Sequence, residues 1–419
     1  MKQLILLILF FLPSLPLFAQ GPQWIVYNTG NSGLGSNNVI AIHIDKDNVK
    51  WIGAGGLVKY DGLNWVLYDT SNSGIPSNAI LSITSDPLSN TVWVGTSESG
   101  VAKFDGVNWT VYNTSNSPLP SNVIFDMEID SSGNVWIGTP FGVAKFNENN
   151  WQVYTISNSG LVNNLVRSIQ FDKVNNAKWF GTNSGGISVL IDTNWITYTT
   201  SNSGLSSNNI RDIRIDRGGN KWIALDGGGL NKFDELSNHW SSFFNPGFLT
   251  SLTIDSSQNK WFGSPGGGLY KFENNNIGWE NFNPSNSPLP SYSVHEVSID
   301  SNQNTWAAVS GGLVIYNENG VVNISTSSFE VPNKFNLNQN YPNPFNPTTI
   351  ISFQIIKVTN VNLSVYDVTG KKIKTLINKK LNLGLYELEF DGNDLPSGMY
   401  FYKLQADDFV ESKKMILAK

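Results

Sequence analysis

The chain of 419 residues contains no cysteine, which excludes disulfide bonds, cysteine-ligated metal and thiol catalysis. Histidine is also scarce, with three residues, and only 14% of the residues are charged, giving a net charge of −6. A nucleic-acid-binding surface needs an excess of basic residues, so this composition argues against a nucleic-acid partner. With 40% hydrophobic and 12% aromatic residues, the chain has enough apolar side chains for folded domains.

Long apolar runs are almost absent, and the one that occurs lies at the N-terminus. Lys2 precedes the unbroken apolar stretch 4–12, and Ala19 offers a small residue before a cleavage point at Gln20. These features predict a signal peptide over residues 1–20, with a buried N-terminal strand as the alternative. No later stretch reaches the roughly 18 apolar residues that a transmembrane helix needs, so we expect an exported protein without a transmembrane span.

Tryptophan reveals an internal repeat. One set of seven recurs at intervals of 39 to 45 residues: Trp51, Trp93, Trp136, Trp179, Trp222, Trp261 and Trp306. A second set of seven has a similar spacing and accounts for the rest of the 14 tryptophans: Trp24, Trp65, Trp109, Trp151, Trp195, Trp240 and Trp279. A period of this length holds four short strands, which is the unit of a β-propeller.

Each repeat has the pattern of four strands joined by tight turns. The fourth strand carries Trp-x-x-Tyr or Trp-x-x-Phe in all seven copies. Residues three apart on a strand point to opposite faces, which suits a strand clamped between two neighbouring sheets. The first copy, at Trp24, precedes any complete repeat, and the last repeat lacks one. We therefore predict a seven-bladed β-propeller over residues 21–320 whose N-terminal strand closes the last blade, with residues 321–325 as the alternative closing strand.

The stretches 45–60, 130–146 and 255–272 match, almost throughout, the pattern D-x-x-G-N-x-W-I-G-T followed by G-[GV]-[LV]-x-[KR]-[FY]. With this pattern, residues 24 to about 320 resemble the two-component-regulator propeller repeat. The resemblance implies an extracellular propeller with a ligand-binding habit. The sequence shows no kinase, receiver or membrane span, so only the propeller and the binding habit carry over from that family.

After residue 320 the tryptophans stop and the charge balance changes. Residues 335–419 carry ten Lys against eight Asp and Glu, whereas residues 21–320 carry 15 Lys and Arg against 24 Asp and Glu. We interpret residues 321–334 as a linker and residues 335–419 as a second domain. Six short strands separated by turns predict a small Ig-like β-sandwich there: 349–355, 361–367, 372–377, 385–390, 399–404 and 413–417. The expected fold class is all-β.

Short motifs occur throughout this second domain. They comprise Tyr341, Pro342, Asn343, Pro344, Phe345, Asn346, Pro347, Gly370, Gly398, Tyr400 and Lys419. With these motifs the domain resembles the type A C-terminal sorting domain of the type IX secretion system. The resemblance implies that the type IX secretion machinery and a sortase are partners, and that the protein is secreted or displayed on the outer cell surface. An ordinary accessory sandwich is the alternative.

Motifs for catalysis, metal binding or a cofactor are not found in the sequence, because the histidines lack ligand spacing and the glycine runs precede strands instead of helices. Ligand-binding candidates are the blade-specific residues of one face and of the innermost strands. The face contributes Glu98, Phe141, Asn183 and Asp226, and the innermost strands contribute Asp126, Asp212, Glu296, Arg167, Arg211 and Arg214. Arginine beside carboxylates near a channel suits a sugar or an anion, with an internally paired, solvated lining as the alternative.

Three functions remain open at this stage. The leading hypothesis is a non-enzymatic binding or interaction module whose ligand is a glycan or another surface protein. The alternative is a polysaccharide-active lyase or hydrolase, which needs two carboxylates, or a carboxylate with Arg or Tyr, to converge in one pocket. A mechanical adhesin is the third, and it predicts exposed aromatic residues on one rim without a deep pocket.

Overall fold

A computed structural model describes residues 23–147, 150–243, 247–274, 278–321, 335–356, 359–381 and 384–419. The predicted signal peptide, nearly all of the predicted linker and most of the alternative closing strand 321–325 lie outside the described residues. Within these ranges the chain forms 35 strands and no helix. The part of the chain that is described thus contains no helix capable of crossing a membrane.

Seven four-stranded antiparallel sheets lie between residues 24 and 316. Sheets 1 to 3 comprise β2 (Ala41–Ile44), β3 (Lys50–Gly53), β4 (Leu57–Tyr60) and β5 (Trp65–Tyr68); β6 (Ile80–Ser85), β7 (Val92–Thr96), β8 (Val101–Phe104) and β9 (Trp109–Tyr112); and β10 (Asp126–Ile129), β11 (Val135–Thr139), β12 (Gly142–Asn147) and β13 (Asn150–Tyr154). Sheets 4 to 6 comprise β14 (Val166–Asp172), β15 (Ala177–Thr182), β16 (Gly186–Ile191) and β17 (Asn194–Tyr198); β18 (Ile210–Ile215), β19 (Lys221–Leu225), β20 (Gly229–Asp234) and β21 (His239–Ser242); and β22 (Leu252–Ile254), β23 (Lys260–Ser264), β24 (Gly268–Phe272) and β25 (Trp279–Phe282). Sheet 7 comprises β26 (Val294–Ile299), β27 (Thr305–Val309), β28 (Gly312–Tyr316) and, from the other end of the chain, β1 (Trp24–Tyr27).

The first strands of the seven sheets contact one another in a closed cycle, which runs β2, β6, β10, β14, β18, β22, β26 and back to β2. The sheets therefore radiate from a common centre, as in a β-propeller, and their first strands surround a central channel. Neighbouring sheets are held together by seven hydrophobic clusters, each shared by two sheets of the cycle. The core is thus divided into wedges between sheets, and burial of the wedge side chains is the main stabilising term.

The recurring aspartate of each turn explains the D-x-x-G-N-x-W pattern. The carboxylate of Asp130 accepts hydrogen bonds from the backbone N–H groups of Ser132 and Asn134, both at 3.0 Å, and from the indole Nε1 of Trp136 at 2.9 Å. The same bond from an indole to the turn aspartate recurs at Trp51, Trp222, Trp261 and Trp306. One side chain therefore stabilises the turn and also fixes the tryptophan that fills the wedge beside it.

Glycine is required at the start of the third strand for a steric reason. Gly142 has a φ of 129°, and a Cβ there would lie 2.5 Å from the carbonyl oxygen of Tyr154 on the fourth strand. Gly186 repeats the arrangement, with a φ of 88° and 2.2 Å to the oxygen of Tyr198. A side chain at either position would push the outer strand away, so glycine is required.

β1 pairs antiparallel with β28, with Trp24 opposite Tyr316 and Tyr27 opposite Leu313. The two aromatic residues of β1 point to opposite faces. Trp24 packs against Phe282 of sheet 6, with ring centroids 5.3 Å apart, whereas Tyr27 packs toward sheet 1 in the cluster shared by sheets 7 and 1. The strand is therefore clamped between two neighbouring sheets.

The two ends of the propeller differ. The turn face carries the turns between first and second strands, such as 130–134, and the loop face carries the connections between sheets and the loops between second and third strands, such as 139–142. The start of β1 and the end of β28 both lie at the turn face, because Trp24 pairs with Tyr316 and Tyr316 pairs with Thr305 beside the turn between the first and second strands. The chain therefore leaves the propeller toward residue 335 from the turn face.

The C-terminal region forms two sheets. Its strands are β29 (Asn336–Leu337), β30 (Thr348–Ile355), β31 (Thr359–Tyr366), β32 (Lys372–Leu381), β33 (Gly384–Asp391), β34 (Gly398–Ala406) and β35 (Phe409–Leu417). They pair in the orders β29-β30-β33 and β32-β31-β34-β35, and the two sheets share one hydrophobic cluster. The last strand is longer than the predicted 413–417, because a tight turn at Asp407, with a φ of 50°, joins β34 directly to β35.

Candidate functional site

The channel is lined by three positions of each first strand, which we number back from the turn aspartate. The residues five positions back form the loop-side ring: Ile40, Leu81, Phe125, Arg167, Arg211, Thr250 and His295. The residues two positions back form the turn-side ring: His43, Thr84, Glu128, Gln170, Arg214, Thr253 and Ser298. The middle ring, four positions back, includes Asp126, Ser168, Asp212, Ser251 and Glu296.

Two cavities follow the channel. The loop-side cavity has a volume of about 270 Å³ and is lined by the whole loop-side ring with parts of the middle ring. The turn-side cavity has a volume of about 240 Å³ and is lined by the whole turn-side ring. Arg214, Asp126 and Glu296 border both cavities and mark the boundary between them.

A β-bulge brings the loop-side ring into the channel. Side chains five and four positions before the turn would face opposite ways on a regular strand. The register shifts between Val166 and Ser168 and between Ile210 and Asp212, so Arg167 and Arg211 are the extra residues of two bulges. A bulge re-aims the side chain of its extra residue, and here it directs two arginines to the same cavity as the middle-ring carboxylates.

The middle-ring carboxylates link neighbouring sheets. Each accepts a hydrogen bond of 2.7 Å from a backbone N–H of the next sheet: Asp126 from Ile169, Asp212 from Leu252 and Glu296 from Ile42. Ser168 accepts the equivalent bond from Ile213 at 3.1 Å. The inner edge of a first strand faces the channel and has no ladder partner, so these side chains satisfy N–H groups that would otherwise be unpaired.

Arg214 is held by its own sheet and the next one. Its Nη1 lies 3.1 Å from Oδ1 of Asp212 and 3.2 Å from the carbonyl oxygen of Ile213, and its Nε donates to the carbonyl oxygen of Leu252 at 3.0 Å. A guanidinium with these partners is both charge-compensated and fixed in orientation.

The two loop-side arginines differ in their partners. Arg211 forms an ion pair with Asp226, to which its Nε donates at 3.1 Å. Arg167 instead lies over the ring of Phe125, with its guanidinium carbon 4.4 Å from the ring centroid. Among the described residues Arg167 has no ion pair, and its buried Nε has no hydrogen-bond acceptor. Burial lowers the pKa of Arg167, and the nearby positive charge of Arg211 lowers it further.

The channel carboxyls titrate at unusually high pH. Burial raises the pKa of Glu296 and of Glu128 to about 7. Burial also raises the pKa of Asp126 well above its ordinary value and raises that of Asp212. The channel therefore holds a share of its carboxyls in the protonated form at neutral pH.

The structure brings together all six predicted residues of the first strands: Asp126, Asp212, Glu296, Arg167, Arg211 and Arg214 line the loop-side cavity. Asp226 joins them through its ion pair with Arg211. The loop residues Glu98, Phe141 and Asn183 do not line either channel cavity, because they lie in loops of the loop face away from the first strands.

Sequence reasoning missed several residues of the channel, among them Ser251 and Glu128. Ser251 is 6% exposed, lines the loop-side cavity and has an Oγ without a hydrogen-bond partner among the described residues. Glu128 lines the turn-side cavity. Their positions in the middle and turn-side rings could have identified both. In the described ranges, no group of three or more His, Cys, Asp and Glu side chains could hold a metal ion.

The sorting motif residues are mostly structural within the C-terminal region. Phe345 is 1% exposed, and its N–H and C=O bond to Ile416 and Ala418 of the last strand and its extension. The side-chain oxygen of Asn343 accepts from the N–H of Ile416 at 2.9 Å. Tyr341, by contrast, is 81% exposed. The motif therefore anchors the C-terminal end of the chain and presents one aromatic side chain to solvent.

The remaining motif residues have similar local roles. Tyr400 donates its hydroxyl to the carbonyl oxygen of Pro396 at 2.8 Å, and the N–H of Lys419 donates to Ser397 Oγ at 3.0 Å. Gly370 has a φ of 80° in the turn after β31. The Nδ2 of the buried Asn340 donates to the carbonyl oxygen of Pro342 at 3.1 Å and to Oγ1 of Thr349 at 2.9 Å.

Comparison with known families and structures identifies both parts of the chain. Residues 339–418 match the family model of the secretion system C-terminal sorting domain, and residues 118–141 match that of the two component regulator propeller. No curated protein matches the chain. The predicted resemblance to these two families is thus confirmed.

Several solved structures share the fold. The extracellular domain of the hybrid two component system BT3049 from B. thetaiotaomicron is 18% identical, with a TM-score of 0.61, over 94% of this chain and 57% of that one. PorZ, a surface component of the type-IX secretion system of Porphyromonas gingivalis, is 16% identical, with a TM-score of 0.58, over 93% of this chain and 60% of that one. A streptogramin B lyase is 13% identical, with a TM-score of 0.58, over 70% of this chain and 97% of that one.

This chain spans about 57 to 60% of the length of the first two structures. At these identities the structures establish the fold alone, which is all-β with a propeller, as predicted. The sorting domain indicates where the protein is located, because its family directs type IX secretion. The chain therefore combines a β-propeller fold, in which residues 118–141 match the two component regulator propeller model, with a C-terminal region, residues 339–418, that matches the secretion system C-terminal sorting domain, and it is secreted to the cell surface.

Proposed function

We propose that this protein is a non-enzymatic binding module displayed at the cell surface, and that it holds its ligand in the loop-side cavity of the propeller channel. The observation that carries the proposal is Arg167, a half-buried cation stacked on Phe125 that faces the cavity without an ion pair among the described residues. A desolvated, unpaired cation is costly unless a ligand completes its interactions. A sugar or an anion is the ligand class that this arrangement favours.

The walls of the cavity support this role. Ile40, Leu81 and Phe125 form an apolar side, and arginine, carboxyl, hydroxyl and histidine side chains form the rest. Ligand sites commonly combine an apolar surface with a few convergent polar groups. The cavity also opens toward the loop face, whereas the chain leaves for the sorting domain from the turn face. The cavity therefore lies at the end of the channel opposite the end of β28.

The hydrogen bonds of the middle ring disfavour the enzyme alternative. Asp126, Asp212 and Glu296 line one cavity, yet each already accepts an N–H of the next sheet. Both oxygens of Asp126 accept backbone N–H groups, from Met127 and Ile169, and both oxygens of Asp212 do so from Ile213 and Leu252. A reaction at either carboxyl would compete with these structural hydrogen bonds, which disfavours both as nucleophile or proton carrier.

The finer architecture forms part of the same proposal. We infer that the seven four-stranded sheets are seven blades of one closed ring over residues 21–320, with the N-terminal strand completing the last blade. We infer an Ig-like sandwich over residues 335–419, joined by a linker over 321–334, after removal of a signal peptide over 1–20. The closed cycle of first-strand contacts and the pairing of β1 with β28 support the ring.

A binding screen with the full-length protein tests the function. The protein is applied to a glycan array and to outer-surface extracts, beside a variant in which Leu81→Trp fills the loop-side cavity. The matched control is Leu63→Trp, because Leu63 is 48% exposed at a turn of the opposite face. We expect a ligand that binds the wild type and the control but not the Leu81→Trp variant.

Two results would contradict the proposal. Ligand binding that survives Leu81→Trp would place the site outside the channel. Turnover of a bound glycan, detected as new reducing ends or unsaturated products, would favour the enzyme alternative, and substitution of Asp126 by Asn would then be expected to abolish it.

A further inference from the structure

The loop-side cavity contains two hydrogen-bond donors that are unused in the described structure, and they lie on different sheets. Arg167 on sheet 4 has a buried Nε without an acceptor, and Ser251, next to β22 of sheet 6, is 6% exposed with an Oγ without a partner. Both line the same cavity. A buried donor left unpaired costs about 1–3 kcal/mol, so two of them facing one cavity indicate that an acceptor-bearing group belongs there.

The charges of the cavity specify the sign of that group. Arg211 is neutralised by Asp226, and Arg214 by Asp212. Arg167 is the loop-side arginine that has no carboxylate within ion-pair distance among the described residues. Asp126 and Glu296 line the same cavity, and burial raises the pKa of both, which reduces their negative charge at neutral pH. The group that compensates the charge of Arg167 is therefore an anionic ligand.

The shape of the cavity specifies the rest of the ligand. A volume of about 270 Å³ equals about nine waters at about 30 Å³ each, which suits one monosaccharide-sized group and excludes a folded chain. The ring of Phe125 beneath the guanidinium, with Ile40 and Leu81 on the same side, suits the C–H face of a sugar ring. The planar fork of Arg167 matches the planar carboxylate better than it matches a neutral hydroxyl.

We propose that the loop-side cavity binds the carboxylate group of a sugar acid, with Arg167 and Ser251 as the two donors. This inference rests on the proposed binding function and narrows its ligand from sugars and anions in general to uronate-type sugars. Arg167 binds the carboxylate, Ser251 donates to the same group or to a neighbouring hydroxyl, and Phe125 contacts the ring.

The test is a calorimetric titration of the full-length protein with D-glucuronate, D-glucose and inorganic phosphate. The variants are Arg167→Gln and Ser251→Ala, and the control is Arg217→Gln, an arginine of the turn between β18 and β19 on the opposite face. Because Arg167 has no ion pair or hydrogen bond to lose among the described residues, and only its stacking on Phe125 changes, the Arg167→Gln variant should unfold close to the wild-type temperature, which circular dichroism checks.

We expect glucuronate to bind about tenfold or more tightly than glucose or phosphate, since a hydrogen bond to a charged group contributes about 1.5–3 kcal/mol. Arg167→Gln should weaken glucuronate binding by about tenfold or more, and Ser251→Ala by about threefold. Arg217→Gln should leave it unchanged.

The outcomes separate this inference from the function on which it rests. Glucose or phosphate binding as tightly as glucuronate, or an Arg167→Gln variant with wild-type affinity, would overturn the sugar-acid assignment. If a neutral glycan binds and Leu81→Trp blocks it, the binding role stands and only the ligand class is wrong. If no ligand binds at the cavity, both are wrong.

Discussion

Replacing Tyr27 by alanine tests whether the N-terminal strand closes the propeller. Tyr27 is 3% exposed and packs between sheets 7 and 1, against Tyr60 and Trp65 with ring centroids 6.0 and 5.1 Å away. Truncation of a buried aromatic side chain to alanine costs about 3–5 kcal/mol, through lost burial and the cavity that remains. The strand that carries Tyr27 is held to β28 by ladder pairing and by the packing of Trp24 against Tyr316, with no chain connection between the two strands. The loss of the Tyr27 ring therefore weakens the contact that closes the ring of sheets.

Guanidinium unfolding followed by tryptophan fluorescence measures this cost. All 14 tryptophans lie between residues 24 and 306, so the signal reports on the propeller and not on the C-terminal region. We expect Tyr27→Ala to lower the free energy of unfolding by about 3–5 kcal/mol, and the control Tyr27→Phe, which keeps the ring, by about 1 kcal/mol. A loss below about 1 kcal/mol for Tyr27→Ala, or equal losses for the two variants, would refute closure by β1.

Three further predictions follow from the channel and the sorting domain. Asp212→Ala should destabilise the propeller by about 2–3 kcal/mol in the same assay, because it leaves the buried N–H of Leu252 unpaired and removes the ion-pair partner of Arg214, whereas Asp47→Ala at an exposed site should cost little; similar costs would contradict the linking role of the middle ring. Burial raises the pKa of Glu128 to about 7, so the folded state binds this proton more tightly than the unfolded state; the stability of the wild type relative to Glu128→Gln should fall as the pH rises from 5 to 7.5, and a constant or rising difference would refute the assignment. Deletion of residues 335–419 should keep the propeller inside the cell envelope, as assayed by protease accessibility on intact cells, and normal surface exposure of the truncated protein would contradict the sorting role.

The propeller architecture was predictable because its determinants are local and repeated. A turn aspartate, a tryptophan six residues later and a glycine before the third strand recur in most copies, and each acts within a few residues of itself. The same applies to the aromatic pair of the fourth strand, whose spacing of three places one ring on each face. The strand Trp24–Tyr27 follows this rule, and the structure has it between sheets 6 and 1.

The site was predictable only in part. Counting back from the turn aspartate places Arg167, Arg211 and Asp212 on first strands, and these residues do line one cavity. The loop residues Glu98 and Phe141 were also chosen because they vary between repeats, but neither lines the channel. Variation between repeats identifies residues that are free to differ, and a loop tip is free to differ without taking part in a site.

The amino-acid sequence by itself determined the repeat, the strand order within each sheet and the secretion address, because these depend on spacing and short motifs. The tertiary structure alone decided which channel side chains are already satisfied. Asp126 is satisfied by an N–H 43 residues away and Glu296 by one 254 residues away, whereas Arg167 is satisfied by none among the described residues. The bond of Glu296 to Ile42 forms only when the ring is closed, since closure brings the last and first sheets together, and the bond of Asp126 to Ile169 forms only when neighbouring sheets pack side by side.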